Sequence, residues 1–192
     1  MGVKLFLKGE KCLSPKCSFL KKPYSPGQKK KRRGSPLSEY GKELKEKQKL
    51  KNWYGLREKQ FKKYAKENPS PALLLQKLEL RYDNAIYRLG FAISRSQARQ
   101  FVSHGHFLIN GKPVNIPSLH LKKGDKIVLK PNSQKKKIFE NLITLLKKHQ
   151  TLPPAWLKLN AEKLEGEVMG LPTLEEANLP VEISSIFEFY SK

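Results

Sequence analysis

Residues 81–112 read RYDNAIYRLGFAISRSQARQFVSHGHFLINGK, and this stretch determines the expected fold. Its first part has helical spacing, and Ser94 and Gln97 stand three residues apart, as in a capping box that starts a helix over residues 95–103. The period then changes from 3.6 to 2. Asn110-Gly111 predicts a type I′ hairpin turn, because both central residues of that turn need a positive φ. The stretch therefore predicts two helices packed on a small antiparallel sheet.

Helix and strand signals continue on both sides of this stretch. Upstream, capping residues and apolar spacing predict helices over residues 38–54 and 57–67, and Ser70-Pro71 opens another helix. Downstream, a strand is expected over residues 126–130 and a helix over residues 134–148. Together these patterns predict an α+β protein.

Charge is distributed unevenly along the chain. Lys and Arg number 39 against 17 Asp and Glu, which gives a net charge of +22. Residues 1–66 carry +16 and residues 67–149 carry +10, whereas residues 150–192 carry −4. Positive charge of this size repels itself in the folded state, and contacts with phosphates would release counterions. We therefore expect the first three quarters of the chain to bind nucleic acid and the acidic tail to pack on protein.

Several other classes of protein are not indicated. No apolar run reaches the roughly 18 residues of a membrane span, so no membrane contact is expected. Ser-His-Asp ordering, a phosphate-binding glycine loop and paired carboxylates are all missing, so we do not expect an enzyme. Asp83 superficially resembles the aspartate of pseudouridine synthases, but we expect it to cap a helix or to pair with an arginine.

The residues themselves resemble a known family. The segments 81–91, 94–100 and 104–112 resemble the alpha-L RNA-binding module of the bacterial small-subunit ribosomal protein family numbered four. The resemblance extends outward through residues 24–28 and 187–192, and so covers nearly the whole chain. This extent matters, because the module alone also occurs in pseudouridine synthases and tyrosyl-tRNA synthetases. The resemblance implies a helical region interrupted by the module.

The expected domain organisation has four parts. Two of them, the helical domain and the C-terminal portion, are expected to pack on each other around the inserted module. The parts are a basic N-terminal arm over residues 1–36, the helical domain over 37–80, the alpha-L module over 81–132, and a C-terminal helix with short strands over 133–192.

The family resemblance also implies a function. It implies a structural constituent of the small ribosomal subunit that binds 16S rRNA directly and nucleates assembly of the subunit body. It further implies contact with ribosomal protein S five and other small-subunit proteins, and with mRNA near the entry channel, where such proteins affect translational accuracy. The implied location is the cytoplasmic ribosome, with a plastid ribosome as the alternative. The other functional hypothesis is an RNA-modifying or docking protein that uses an alpha-L module.

Basic and polar side chains of the arm, the first long helix and the module are the expected RNA contacts. Within the module, Arg95 and Arg99 share one helix face at i, i+4 spacing, and His104 lies at the helix end, where it can cap carbonyls or contact RNA. The full expected set is Lys29, Lys30, Lys31, Arg32, Arg33, Lys47, Lys49, Lys51, Arg81, Arg88, Arg95, Arg99, Gln100, His104 and Lys112.

The two cysteines suggest half of a metal site. Cys12 and Cys17 supply two thiols, whereas a structural zinc site is tetrahedral and has four ligands. The resemblance implies a four-cysteine site completed by an upstream Cys-x-x-Cys pair. Either that site is lost here, or two further cysteines lie upstream of Met1, which is the hypothesis that we favour. We expect zinc only in the second case.

Overall fold

The computed structural model describes residues 3–22, 36–140, 142, 146, 153–177 and 179–191. The chain divides into two compact units. Unit 1 is Met1–Leu74 with Leu179–Lys192, and unit 2 is Leu75–Asn178. Within the described ranges, no helix is both long enough and apolar enough to cross a membrane.

Helices and strands occur in separate runs along the chain, as expected of an α+β protein. The helices are α1 Glu10–Leu13, α2 Ser18–Lys21, α3 Glu39–Trp53, α4 Glu58–Glu67, α5 Pro71–Glu79, α6 Tyr82–Arg88, α7 Arg95–Ser103, α8 Pro131–Gln134, α9 Leu174–Ala177 and α10 Ser184–Ser191. The strands are β1 Phe107–Ile109, β2 Lys112–Pro113, β3 Lys126–Leu129, β4 Leu157–Asn160 and β5 Glu165–Val168. The predicted fold class is confirmed.

Unit 1 is built around α3, α4 and the C-terminal helix α10. The helix α3 begins as predicted, because the Ser38 hydroxyl accepts the backbone N–H of Gly41 at 3.2 Å. The aromatic residues of α10 cover α3 and α4, with Phe189 5.2 Å from the Tyr40 ring and Tyr190 6.2 Å from the Phe61 ring. The C-terminal helix is therefore part of the core of unit 1.

Unit 2 is an antiparallel sheet with one face buried against α6 and α7. The strand order is β2-β1-β3-β5-β4, so β3 is central. Successive side chains of a strand point to opposite faces, and Phe107, Ile109, Ile127 and Leu129 all point to the buried face. They pack in one hydrophobic cluster with residues of α6 and α7, which are Ala85, Ile86, Ala98, Phe101 and Val102.

The predicted hairpin is present and is tied to the next turn. Asn110 and Gly111 have φ values of 49° and 77°, as the type I′ turn requires. The Asn110 amide donates to Asp125 Oδ1 at 2.8 Å, and its Oδ1 accepts the Lys126 N–H at 2.9 Å. Asp125 Oδ2 in turn accepts the Lys122 N–H at 2.7 Å. These bonds fix the two turns to each other.

The C-terminal strands lie elsewhere than expected. We expected the strands of residues 133–192 to pack on the helical domain, whereas β5 pairs with β3, with Lys126 opposite Glu167, and β4 pairs with β5. The physical reason is that β1 covers only one edge of β3, and the backbone groups of the other edge need partners. Among the described elements of residues 133–192, α10 packs on α3 and α4, although no helix was predicted there.

The helix expected over residues 134–148 differs as well. The helix α8 ends at Gln134, and residues 135–140 form turns and a bend. Residues 142 and 146 are helical, and the other positions between 141 and 152 lie outside the described residues. Leu142 is buried as its spacing predicted, whereas Ile138 is 63% exposed.

Candidate RNA-binding surface

Arg81 lies in the core of unit 2 and not on its surface. Its side chain is fully buried and donates two hydrogen bonds to Asp83, from Nε at 3.1 Å and from Nη2 at 2.7 Å. The backbone of Arg81 forms an antiparallel β-bridge with His120, and the segment around His120 covers Arg81. The expected RNA contact at Arg81 is therefore corrected, because a fully buried guanidinium does not reach a ligand in solvent. The arginine-pairing role expected of Asp83 is confirmed.

Arg88 is half-buried, and its side chain is bonded within unit 2. Its Nε and Nη2 donate to the two carboxylate oxygens of buried Glu79 at 2.9 and 2.8 Å, and Nη2 also donates to the Ala177 carbonyl at 2.9 Å. This bidentate geometry is the strong form of an arginine–carboxylate pair. Arg88 thus neutralises Glu79 and anchors the end of α9, and its expected role as an RNA contact stays a prediction.

Arg95 is positioned by the same polar network. Asn84 donates to both the carbonyl and the carboxylate of Glu79, which orients its amide so that Oδ1 accepts Arg95 Nε at 2.9 Å. The Arg95 guanidinium also lies over the Tyr87 ring, 4.5 Å from its centroid. Arg95 is half-buried, so much of its side chain is engaged within unit 2.

The side chains of α7 that point away from the core form an outward arc; they are polar, and none of them is buried. At 100° per residue, this arc opposes Ala98, Phe101 and Val102, which are buried. Arg99 is half-buried, and Gln100 and the helix-capping His104 are exposed. The members of the arc are Arg95, Ser96, Arg99, Gln100 and Ser103. The structure thus brings Arg95, Arg99 and Gln100 together on one helix face, as predicted.

The two linked turns carry exposed lysines. Lys112 of the hairpin is exposed as expected, and Lys122, Lys123 and Lys126 beside the second turn are exposed too. These three were missed in the sequence analysis, although Lys-Lys-Gly-Asp is a visible basic turn. We call the four residues the turn lysines.

A second group of residues that was not predicted from the sequence lies near the C-terminal end of α7. His106 is buried, and its Nδ1 is 3.0 Å from the Ser133 hydroxyl. Burial lowers the pKa of His106, and the nearby charges of Lys136, His104 and Lys130 lower it further. Lys135, Lys136 and Lys137 are all exposed. The run of three lysines was the available sequence signal.

The lysines expected to bind RNA from α3 are engaged within unit 1. Lys47 is buried, donates to Glu58 at 2.6 Å and lies 4.4 Å from the centroid of the Phe189 ring. Lys51 donates to the other oxygen of Glu58 at 3.0 Å, and Lys49 pairs with Glu46. Burial raises the pKa of Glu58, but the bonds from Lys47 and Lys51 outweigh it and lower the pKa overall. The expected RNA contact at Lys47 is therefore wrong, because Lys47 is a structural residue of the core of unit 1.

The remaining predicted residues fall in the N-terminal segment. Lys29, Lys30, Lys31, Arg32 and Arg33 lie outside the described residues. Cys17 is buried, and the backbone N–H of Leu20 lowers the pKa of its thiol. Cys12 Sγ accepts the Lys8 N–H at 3.3 Å. In the described part of the chain, no group of three or more His, Cys, Asp or Glu could hold a metal, so these two thiols do not by themselves fit a zinc site.

Comparison with known proteins agrees with this geometry. The family model of the S4 domain matches residues 80–127, and that of the ribosomal protein S4/S9 N-terminal domain matches residues 1–79. The small ribosomal subunit protein uS4 of Halothermothrix orenii is 47% identical, over 100% of this chain and 93% of that protein. Its counterparts in Caldicellulosiruptor saccharolyticus and Thermotoga petrophila are 48% and 43% identical over the same shares.

These matches and the helix–hairpin geometry of unit 2 define an S4-domain protein. More closely, the chain belongs to the uS4 family of small ribosomal subunit proteins. The family assignment made from the sequence is confirmed, and with it the prediction that the chain is not an enzyme.

Proposed function

We propose that this chain is a structural constituent of the small ribosomal subunit, located in the cytoplasmic ribosome, and that it binds 16S rRNA directly through unit 2. The relatives carry the name of a small ribosomal subunit protein, and the S4-domain match covers the surface described above. Early binding that nucleates the subunit body, contact with ribosomal protein S five and a position near the mRNA entry channel belong to the same proposal.

One observation carries the proposal, and it is the way that unit 2 distributes its charges. Residues 79–130 contain three acidic residues. Glu79 and Asp83 are buried against Arg88 and Arg81, and Asp125 accepts hydrogen bonds from the two turns. Arg88 and Arg81 therefore neutralise Glu79 and Asp83, and the four turn lysines outnumber Asp125, the remaining acid of this segment. A rigid surface with a net positive charge suits the phosphate backbone of folded RNA.

A competition experiment tests this proposal against non-specific binding. The full chain is bound to a transcript of small-subunit rRNA, with a large-subunit transcript of equal length as competitor, at about 0.3 M salt. Purely electrostatic binding weakens steeply with salt and does not distinguish the two transcripts. We expect the chain to retain the small-subunit transcript, and equal displacement by both transcripts would contradict the proposal.

A further inference from the structure

We propose that Asn110 is a site of spontaneous deamidation, and that the hydrogen bonds between the two linked turns of unit 2 control the reaction. Among the glycines of the chain, only Gly111 follows an asparagine. A glycine has no Cβ, so the preceding side chain can approach its backbone nitrogen closely. The reaction needs water alone as its partner, and the inference therefore goes beyond the proposed function.

The reaction converts the side-chain amide of Asn110 into a carboxylate. The Gly111 nitrogen bonds to Cγ of Asn110 and gives up its proton, the amide nitrogen leaves as ammonia, and a succinimide ring remains in the backbone. Water then opens this ring. Opening at the side-chain carbonyl gives aspartate at position 110, and opening at the backbone carbonyl gives isoaspartate. One water is consumed and one ammonia is released, and nothing is oxidised or reduced.

The nucleophilic nitrogen lies in an open part of the hairpin turn. Asn110 and Gly111 are both exposed. Apart from the chain neighbours, no heavy atom lies within 4 Å of the position that a Cβ of Gly111 would take. Within the described ranges, the Gly111 N–H donates no hydrogen bond. The nitrogen is therefore available, and the orientation of the Asn110 side chain decides whether it reacts.

Two hydrogen bonds fix that orientation in the folded protein. Asn110 Nδ2 donates to Asp125 Oδ1 at 2.8 Å, and Asn110 Oδ1 accepts the Lys126 N–H at 2.9 Å. Because both ends of the amide are bound to the second turn, its Cγ does not rotate toward the Gly111 nitrogen unless these bonds break. The reaction therefore proceeds from molecules in which the two turns have separated, a local opening that does not require complete unfolding.

The product weakens the link between the turns. A carboxylate at position 110 has no donor for Asp125 Oδ1, and two like charges then lie at the distance of the former hydrogen bond. Isoaspartate also lengthens the backbone of a turn that is specified by its length. The turn lysines then lie beside two acids instead of one, so the modification lowers the positive charge of this surface.

The first test measures the rate of deamidation in the full chain. The protein is incubated at neutral pH, and peptide mass spectrometry follows Asn110 together with Asn115, which is also exposed but is followed by the β-branched Ile116. In denaturant, the parent chain should react fastest at Asn110. In the folded state, Asp125→Ala should react at Asn110 several-fold faster than the parent chain, because it removes the acceptor of the Asn110 amide. The rate at Asn115 should not change.

Two further variants separate the effect of the turns from that of global stability. Asp125→Asn keeps an acceptor oxygen for the Asn110 amide and should react more slowly than Asp125→Ala. Val102→Ala destabilises unit 2 from the buried side of α7, outside both turns. It is compared with Asp125→Ala at denaturant concentrations at which both variants have the same free energy of unfolding. Equal rates at Asn110 would overturn the proposal, because global unfolding would then control the reaction.

The melting temperature tests the consequence of the reaction. Asn110→Asp reproduces the aspartate product and should melt at a lower temperature than the parent chain. Adding Asp125→Asn exchanges the amide and the carboxylate, so each hydrogen bond between the turns again has a donor and an acceptor, and most of the loss should be recovered. If Asn110→Asp melts like the parent chain, or if the exchange recovers nothing, the control assigned to this pair is wrong.

Discussion

The arginines of unit 2 have different roles because their environments differ. Arg81 is buried because Asp83 lies two residues away and because the segment at residues 117–121 closes over the start of α6, with the Tyr82 N–H donating to the Leu119 carbonyl at 2.8 Å. Arg99 has the same side chain but lies on the outward arc of α7. Residue type alone predicted RNA contact for both, since the contact that buries Arg81 is distant in sequence.

Capping residues were predictable, because their partners are local. Ser94 accepts the Gln97 N–H at 3.3 Å, as the capping box predicts. In a capping box, the Gln97 side chain would accept the backbone N–H of Ser94. Here Gln97 Oε1 instead accepts the N–H of Ile93, one residue earlier, at 2.9 Å. The sequence pattern thus determined where α7 begins, whereas the detailed geometry of the preceding turn selected the donor.

His106 gives unit 2 a stability that depends on pH. Its pKa is lowered by burial and by Lys136, His104 and Lys130, from an ordinary value of 6.5. Above pH 6.5 the ring is neutral in both states. As the pH falls below 6.5, the unfolded chain binds a proton that the folded chain does not, so the free energy of unfolding decreases until the lowered pKa is reached.

Denaturant unfolding at pH 7.5 and pH 5.5 checks this expectation. The parent chain should have a lower midpoint at pH 5.5, and His106→Gln should reduce the difference between the two values. His104→Gln, at an exposed neighbour, removes only one of the smaller causes of the lowered pKa and should retain most of the difference. A parent midpoint that is the same at both pH values would contradict the role of His106.

Elements that depend on local patterns were predicted well, and pairings across the chain were not. The helices α3, α4, α5 and α7 and the hairpin β1–β2 follow from caps, periodicity and turn residues within a few positions. The pairing of β5 with β3 joins Glu165 to Val128, across a segment that includes α8 and β4. Short strands were expected within residues 133–192, but an expectation of this kind does not specify which sheet they join.

The pairing of β5 with β3 requires a residue without a side chain at position 166, which is Gly166. A Cβ at this position would lie 2.4 Å from Leu89 Cδ1, closer than packed carbon atoms approach. We expect Gly166→Ala to lower the free energy of unfolding by about 1–3 kcal/mol through overpacking. Gly170→Ala is the matched control, since no heavy atom lies within 4 Å of its Cβ, and it should cost much less.

A double-mutant cycle tests the assigned cause. Leu89→Ala alone should cost about 2–5 kcal/mol, because it leaves a cavity in the core. The methyl group that Gly166→Ala adds would occupy part of that space, so the combined variant should lose less than the sum of the two single changes. If denaturant unfolding shows that the two single changes in the free energy of unfolding are strictly additive, then contact with Leu89 is not the reason for a glycine at position 166.

At the scale of the whole molecule, the acids are placed so that the basic surfaces remain uncompensated. In unit 2, Glu79 and Asp83 face inward, and in unit 1 Glu58 faces α3 and α10. The whole sequence has a net charge of +22, and most Lys and Arg side chains of the described residues are at least partly exposed to solvent. Self-repulsion of this kind destabilises the free protein and should decrease when counterions or a polyanion are present.

Melting of the free chain measures this repulsion. We expect the melting temperature to rise by a few degrees between about 0.05 and 0.3 M NaCl, because the Debye length shortens. Inorganic polyphosphate should raise it further at equal ionic strength, since a polyanion binds the folded surface directly. A melting temperature that is indifferent to polyphosphate would argue against concentrated positive surfaces.

The insertion of unit 2 into the sequence of unit 1 dictates an order of events during synthesis. Unit 1 is formed by Met1–Leu74 together with Leu179–Lys192, so α3 and α4 must wait for α10 until the whole of unit 2 has been translated. Unit 2 is continuous in sequence and can close around its sheet while α10 is still to be made. A chain cut short before Ser184 would therefore contain all of unit 2, whereas α3 and α4 of unit 1 would lack their partner helix α10.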